Sequence, residues 1–295
     1  MQQNDRIVLV DSSGNNIEVS RDEYVNMLMT EADRNKNDAE QLFYIGHALL
    51  SDQFFDNAIE VFTMAGNLHP QNSTYDNAIG VCYLQMKDYE KAKEYYKEHI
   101  KKFPDSALGY LNIAKACDFL HQHDELEINL KKSIELNPNL YNSLLYWLLF
   151  CKDTNRIDKG IEFLLKVAES GDSNWGPYLI LALEFEERKN YGVALEYADK
   201  ALMRNVDNGC AFADLATLYA KMGQVGKAIE ILEERARTEE LSFKELWNLT
   251  VAYYEAGNRE RARELVKELE KMAEDPDSKN LIQELKDYWE QGNQA

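Results

Sequence analysis

Helix-breaking residues are scarce in this chain: five prolines and 14 glycines among 295 residues. Proline removes a backbone donor and clashes with the preceding turn, so its scarcity leaves room for long helices. Cysteine is rarer still. Cys82, Cys117, Cys151 and Cys210 form no CxxC pair, which argues for small buried hydrophobes rather than a disulfide or metal site, and for a reducing, cytoplasmic compartment. Basic residues are outnumbered, 33 against 52 acidic ones, for a net charge of −19. Such a chain repels phosphate backbones, and no basic stripe offsets the repulsion, so no nucleic-acid role is expected. Its charge favours solubility and steers it toward basic partners. No apolar run could span a bilayer: the longest, LLYWLLFC from Leu144 to Cys151, reads as a buried helix, and no membrane association is expected. The start, MQQNDRIVLVDSSGNN, lacks a basic stretch followed by a long apolar core, so no signal peptide is expected.

Against these absences stands one strong regularity. Ala58, Ala92, Leu126, Gly160, Ala194, Ala228 and Ala262 lie 34 positions apart without slippage. Gly46, Gly80, Ala114, Leu148, Ala182, Ala216 and Thr250 march in phase, and Pro70, Pro104 and Pro138 begin a third series. A fixed period of this length marks a stacked repeat, in which each unit buries its apolar face only against its neighbours. The second block, STYDNAIGVCYLQMKDYEKAKEYYKEHIKKFPDS (73–106), shows the grammar. Ile79, Gly80 and Tyr83 share one helical face. A break at Lys87-Asp88 precedes a second helix with Ala92, Tyr96 and His99 on one face, and Pro104 ends the pair. Gly80 and Ala92 are small where antiparallel helices cross; Tyr83 and Tyr96 supply bulk where the gap widens.

The ends differ from the repeat. Ile7–Val10 and Ile17–Val19 are β-prone stretches around the turn-rich DSSGNN, which predicts a short hairpin packed on the next helix. Ser20-Arg21-Asp22-Glu23 is a capping box opening that helix, and Tyr24, Met27 and Leu28 give it an apolar face. At the other end Leu281, Ile282, Leu285 and Trp289 predict a helix that caps the stack. Block four (141–174) is irregular. Leu148 enlarges one small position while Gly160 shrinks the other, so the two compensate in volume. SGDSNWGP (170–177) then predicts a local break, either a frayed helix end or a hinge between blocks one to four and five to seven.

These blocks resemble the tetratricopeptide repeat, whose consensus sets a large residue, Leu-Gly, Tyr, Ala, Phe or Tyr, Ala and Pro over 34 residues. Block one carries Leu42, Ile45, Gly46, Leu49, Ala58, Phe62, Ala65 and Pro70; block five carries Tyr178, Leu181, Ala182, Phe185, Ala194, Ala198 and Ala201. The resemblance covers about four-fifths of the chain. It implies an all-α, right-handed α-solenoid of about seven helix pairs. Residues 1–38 form the hairpin and capping helix. The repeats follow at 39–72, 73–106, 107–140, 141–174, 175–208, 209–242 and 243–276, and 277–295 is the C-terminal cap.

Chemistry is harder to find. No GxSxG, HExxH or phosphate-binding glycine loop is present. His121-Gln122-His123-Asp124 lacks a further partner at zinc-ligand spacing. Asp11 to Asp22 faintly resembles a calcium loop, but Asn16 stands where glycine is needed and Asp22 where glutamate is. Glu184-Glu186-Glu187 reads as a solvated helix face. No enzyme activity, cofactor or metal is expected. The resemblance implies instead a groove, lined by the first helix of each pair, that holds a peptide or a partner's helix. Helical phase places Phe43, Tyr44, His47, Asn77, Asn112, Lys115, Tyr146, Asp214, Trp247, Asn248 and Tyr254 on it, with Leu145, Leu149, Leu179, Ile180 and Leu183 as its apolar middle. Chaperone-binding members grip a terminal carboxylate with lysine, asparagine and arginine across three repeats. Here Asn112 and Asn248 match isolated elements without the basic companions, so a hydrophobic or mixed ligand is expected. The reading is a protein-interaction scaffold or adaptor. The alternatives are self-association into a homo-oligomer through the hairpin, and a sensor of a signalling peptide or small molecule.

Overall fold

The computed structural model describes residues 6–10, 16–171, 174–204, 206 and 209–292. The turn at 11–15, and with it the first part of the calcium-like stretch Asp11 to Asp22, lies outside the described residues, as do 172 and 173 in SGDSNWGP. Two compact units divide the chain, Met1–Asn137 and Pro138–Ala295.

Unit 1 opens with strands β1 (Arg6–Val10) and β2 (Asn16–Ser20), antiparallel with Ile7 opposite Val19 and Leu9 opposite Ile17. Helix α1 (Arg21–Arg34) follows. The predicted capping box is present: Glu23 N–H donates to Ser20 Oγ at 3.2 Å, and Ser20 N–H donates to Glu23 Oε2 at 2.8 Å. Three helical hairpins then stack: α2 (Ala39–Ser51) with α3 (Phe55–Leu68), α4 (Ser73–Gln85) with α5 (Tyr89–Lys102), and α6 (Ala107–Phe119) with α7 (His123–Leu136). Unit 2 holds four more: α8 (Tyr141–Asp153) with α9 (Ile157–Glu169), α10 (Gly176–Glu187) with α11 (Tyr191–Leu202), α12 (Gly209–Lys221) with α13 (Val225–Thr238), and α14 (Phe243–Glu255) with α15 (Arg259–Met272). Helix α16 (Pro276–Gly292) ends it. The architecture is the all-α helical-repeat fold that the period predicts.

Each hairpin turns in the same way. Gln53, Lys87, His121, Asn155, Lys189, Gly223 and Gly257, one per block and 34 apart, all have positive φ between 53° and 82°. The residue after each donates back across the turn, as in Phe54 N–H to Leu49 C=O at 2.8 Å and Asp88 N–H to Tyr83 C=O at 3.0 Å. These are Schellman closures, which satisfy carbonyls that the helix end would leave open.

In the first two hairpins the crossing is set by a glycine facing a large ring. A Cβ added to Gly46 would lie 2.5 Å from the Phe62 ring, and one added to Gly80 would lie 2.4 Å from the Tyr96 ring. Tyr96 therefore packs directly over Gly80 rather than filling a wider gap elsewhere. Gly160 does not compensate for Leu148. It makes room for Cys151, whose Sγ would stand 2.8 Å from an added Cβ, and the Trp147 indole N–H donates to the Gly160 carbonyl at 3.1 Å.

The stretch between α9 and α10 is tightly held where it is described. Asn174 Nδ2 donates to the Val167 carbonyl at 2.8 Å, Trp175 is buried, and Gly176 N–H donates to Asn139 Oδ1 at 2.9 Å. Leu179 and Ile180 are fully buried and line no open face, because the N-terminal half of α10 is apolar and covered all round, its carboxylates all lying in the last turn. In α16 the covering face is Ile282, Leu285 and Trp289, while Leu281 points to solvent.

The turn geometry yields a prediction. An added Cβ at Gly257 meets nothing within 4 Å, so only backbone strain opposes a side chain there. Gly257→Ala is expected to cost about 1 kcal/mol in chemical denaturation, whereas Gln53→Gly, at the same turn position, is expected to cost nothing.

Candidate partner-binding faces

The first helices of the hairpins carry the predicted site residues, and the two units treat them differently. In unit 1, Phe43 is half-buried, with its ring 5.6 Å from Tyr75 and 5.8 Å from Phe62. It packs between hairpins as much as it faces outward. Tyr44 is 60% exposed. His47 is exposed and sets its ring edge-on to Phe43 at 4.4 Å. Asn77 and Asn112 meet: Asn112 Nδ2 donates to Asn77 Oδ1 at 2.7 Å. One turn further along α6, Lys115 is half-buried. Burial alone lowers its pKa, and its ammonium has no carboxylate or hydrogen-bond partner among the described residues.

In unit 2 most of the predicted residues are engaged by other groups of that unit. The Tyr141 hydroxyl of α8 donates to Asp214 of α12, and Lys244 of α14 pairs with the other carboxylate oxygen at 2.7 Å. Asp214 is thus a junction between three first helices. Asn248 Nδ2 donates to the Ala213 carbonyl and to Thr217 Oγ1, both at 2.8 Å. Trp247 stacks with Phe243 at 6.2 Å and helps line a small cleft of about 180 Å³ with Thr217, Lys221, Asn248 and Val251. Tyr254 lies flat against Trp289 of α16, 4.3 Å between ring centres and 3° between planes, so the terminal helix covers it. Tyr146 is half-buried.

A charged ladder on the same helices escapes a reading by helical phase. Lys152 Nζ lies 2.8 Å from Glu184 Oε2 and 2.5 Å from Glu187 Oε2, and Lys221 Nζ lies 3.3 Å from Glu186 Oε1. Glu184 is 3% exposed. It is no solvated surface carboxylate, since Arg188 Nε also donates to it at 2.7 Å. The signal was available in the spacing. Lys152–Glu187, Glu186–Lys221, Asn77–Asn112 and Ala213–Asn248 are all 35 residues apart, one repeat plus one residue.

The stacked hairpins, with polar and aromatic groups arrayed along their first helices, define a helical-repeat protein of the kind that presents surfaces to other proteins. A family model of the tetratricopeptide repeat matches residues 77–106, inside the second block. Residues 77–106 thus carry a tetratricopeptide repeat, and the other blocks share its 34-residue period. It is 32% identical over 87 residues to subunit 3 of the anaphase-promoting complex of Schizosaccharomyces pombe, covering 30% of this chain and 13% of that protein. It is 33% identical over 96 residues to the heat shock protein STI1 of Saccharomyces cerevisiae, covering 32% of this chain and 16% of that protein. The chain therefore spans under a fifth of either relative's length. The crystal structure of yeast Tom70 superposes on 92% of this chain and 59% of its own, with a TM-score of 0.62 at 14% identity, a likeness of fold.

Lys115 supplies a test of the desolvation it suffers. Its folded pKa lies below its unfolded one, so between those values the unfolded chain binds more protons and stability rises with pH. Below the folded value the full cost is felt. Lys115→Met is expected to raise the melting temperature by a few degrees at about pH 7, and the gain is expected to shrink as pH climbs from the lowered folded value toward the unfolded one of about 10.4. Thermal melts of both proteins across that range check it.

Proposed function

We propose that the chain is a non-catalytic scaffold that holds a peptide or a partner's helix against the first-helix faces of its hairpins. The observation that carries this reading is Lys115, a half-buried and partly desolvated ammonium without a carboxylate among the described residues, one turn from the Asn77–Asn112 amide pair. An isolated protein gains nothing from such a group, whereas a partner that brings an acceptor recovers its cost. Exposed Tyr44 and half-buried Phe43 and Trp247 supply the rigid apolar area that anchors interfaces. The ligand that suits them is mixed, with apolar side chains and a backbone for the amides to bond. One relative is named as a subunit of a multiprotein complex, which agrees with this reading. The buried thiols support a cytoplasmic setting: burial pushes Cys82 up to about 12 and Cys117 up to about 11, so both stay protonated and inert.

The hairpin favours a second reading. Val8 and Ile17 are 56% and 45% exposed, and a strand edge with apolar side chains invites pairing with another copy. Sedimentation of the full chain and of a chain lacking residues 1–20 separates the two: a loss of mass only in the longer chain on dilution would favour self-association.

For the scaffold itself, Asn112→Ala, Tyr146→Ala and Asn248→Ala are combined and the partner is recovered by affinity purification from the native host. With helicity retained, recovery is expected to fall about tenfold. Undiminished recovery removes these faces from the account.

A further inference from the structure

The repeat leaves a cleft beside the first helix of a hairpin, between that hairpin's second helix and the second helix before it. The same repeat positions line it in both units. In unit 1 it lies between α3, α4 and α5 and measures about 690 Å³; in unit 2 it lies between α13, α14 and α15 and measures about 420 Å³. Asp76, Ile79, Tyr95 and Lys102 of the first correspond, five periods on, to Leu246, Leu249, Leu265 and Met272 of the second. The scaffold is content with aliphatic side chains at these places. Unit 1 spends a carboxylate, a phenol and an ammonium there.

Position 76 is the sharpest departure. Its counterparts are Leu42, Tyr110, Leu144, Tyr178, Phe212 and Leu246, all large side chains that pack. Asp76 forfeits that packing and is nonetheless mostly enclosed, its side chain 18% exposed. The Tyr95 hydroxyl donates to Asp76 Oδ1 at 3.2 Å, and Lys102 Nζ stands 3.3 Å from Oδ2. His99, where other blocks have Ala65 and Ala201, lies behind with its side chain 1% exposed. Its Nε2 faces Ser106 Oγ at 3.1 Å, while Nδ1, 3.9 Å from Asp76 Oδ2, has no hydrogen-bond partner. Burial depresses the His99 pKa, so at neutral pH the imidazole leaves the Asp76 charge in place. Phe62, Tyr83 and Phe103 complete the walls, and the faces of aromatic rings attract cations. The Lys91 ammonium already sits 5.4 Å from the Tyr83 ring centre. Lys102, by contrast, is 62% exposed. It is a loosely held cation on a fixed carboxylate, in a cleft of the size that holds small ligands.

We propose that this cleft binds the basic side chain of a protein partner, whose cationic head displaces Lys102 from Asp76 between the aromatic walls. The net charge of −19 draws basic partners toward it. The site lies apart from the first-helix faces described above and does not depend on them.

The test titrates acetyl-Gly-Arg-Gly-amide, its lysine counterpart and its citrulline counterpart into the full-length ¹⁵N-labelled chain. The arginine or lysine peptide is expected to shift the amides of Gly66, Asn67, Asp76 and Tyr95 saturably, and the neutral citrulline peptide to leave them in place. Lys102→Met, which removes the internal competitor, is expected to tighten binding about threefold. Asp76→Leu, the residue of blocks one, four and seven, is expected to weaken it about tenfold or more, with Asp76→Asn as the isosteric check should the leucine disturb the helix. Three results overturn the proposal: equal binding of the citrulline peptide, unchanged affinity in a folded Asp76 variant, or no saturable shift in either the native chain or Lys102→Met.

Discussion

The structure rests on the packing of one buried position on each hairpin's first helix against its counterpart on the second, most sharply a glycine against a ring in the first two hairpins. Gly46 against Phe62 and Gly80 against Tyr96 are the closest cases, with no space for a single carbon between them. The same two positions hold Ala114 and Leu130, Leu148 and Leu164, Ala182 and Ala198, Ala216 and Leu232, and Thr250 and Val266, all buried. Helices approach closely only where side chains are small, and a packed interior tolerates neither voids nor overlap. The couple fixes where each pair crosses, and the left-handed turn residue 34 positions apart from its neighbours returns the chain to the same crossing each time. With the pair so determined from within, the outward positions are released from packing and are free to carry polar and aromatic groups.

That division explains what the sequence revealed. The period, the helix pairs, the Ser20–Glu23 capping box and the buried face of Ala92, Tyr96 and His99 all follow from spacing alone, because helical phase decides which side of a helix a residue occupies. Phase does not say what stands opposite. Gly160 therefore looked like a partner for Leu148, when it is shaped by Cys151 and Trp147. Leu179 and Ile180 looked like groove residues, when both are fully buried in the enclosed N-terminal half of α10. Asp214 was legible as facing the right way, but its capture by Tyr141 and Lys244 from two other hairpins depends on distances that no periodicity encodes.

The polar groups of the two units do different physical work. In unit 2 they are largely spent on one another: Asp214, Glu184 and Asn248 each tie first helices of neighbouring hairpins together. Such part-buried pairs contribute more to register than to net stability. Unit 1 has such ties too, Asn77–Asn112 and Lys93–Gln122 among them, but it also leaves two charges without a buried counterion. Lys115 is half-buried with no carboxylate partner among the described residues, and Asp76, besides the Tyr95 hydroxyl, holds an exposed lysine. Such charges concentrate the capacity of unit 1 for recognition where the Coulomb energy is still unclaimed.

The governing constraint is tested most directly by a double-mutant cycle at the Gly80–Tyr96 couple. Gly80→Ala alone forces a carbon into the tyrosine ring, and Tyr96→Leu alone opens a void, so each is expected to cost about 1–3 kcal/mol. The double variant reproduces the alanine–leucine couple of block three. It is expected to recover more than about 1 kcal/mol of the summed loss. If the two losses simply add, within about 0.5 kcal/mol, the couple does not set the hairpin and the account built on it is wrong.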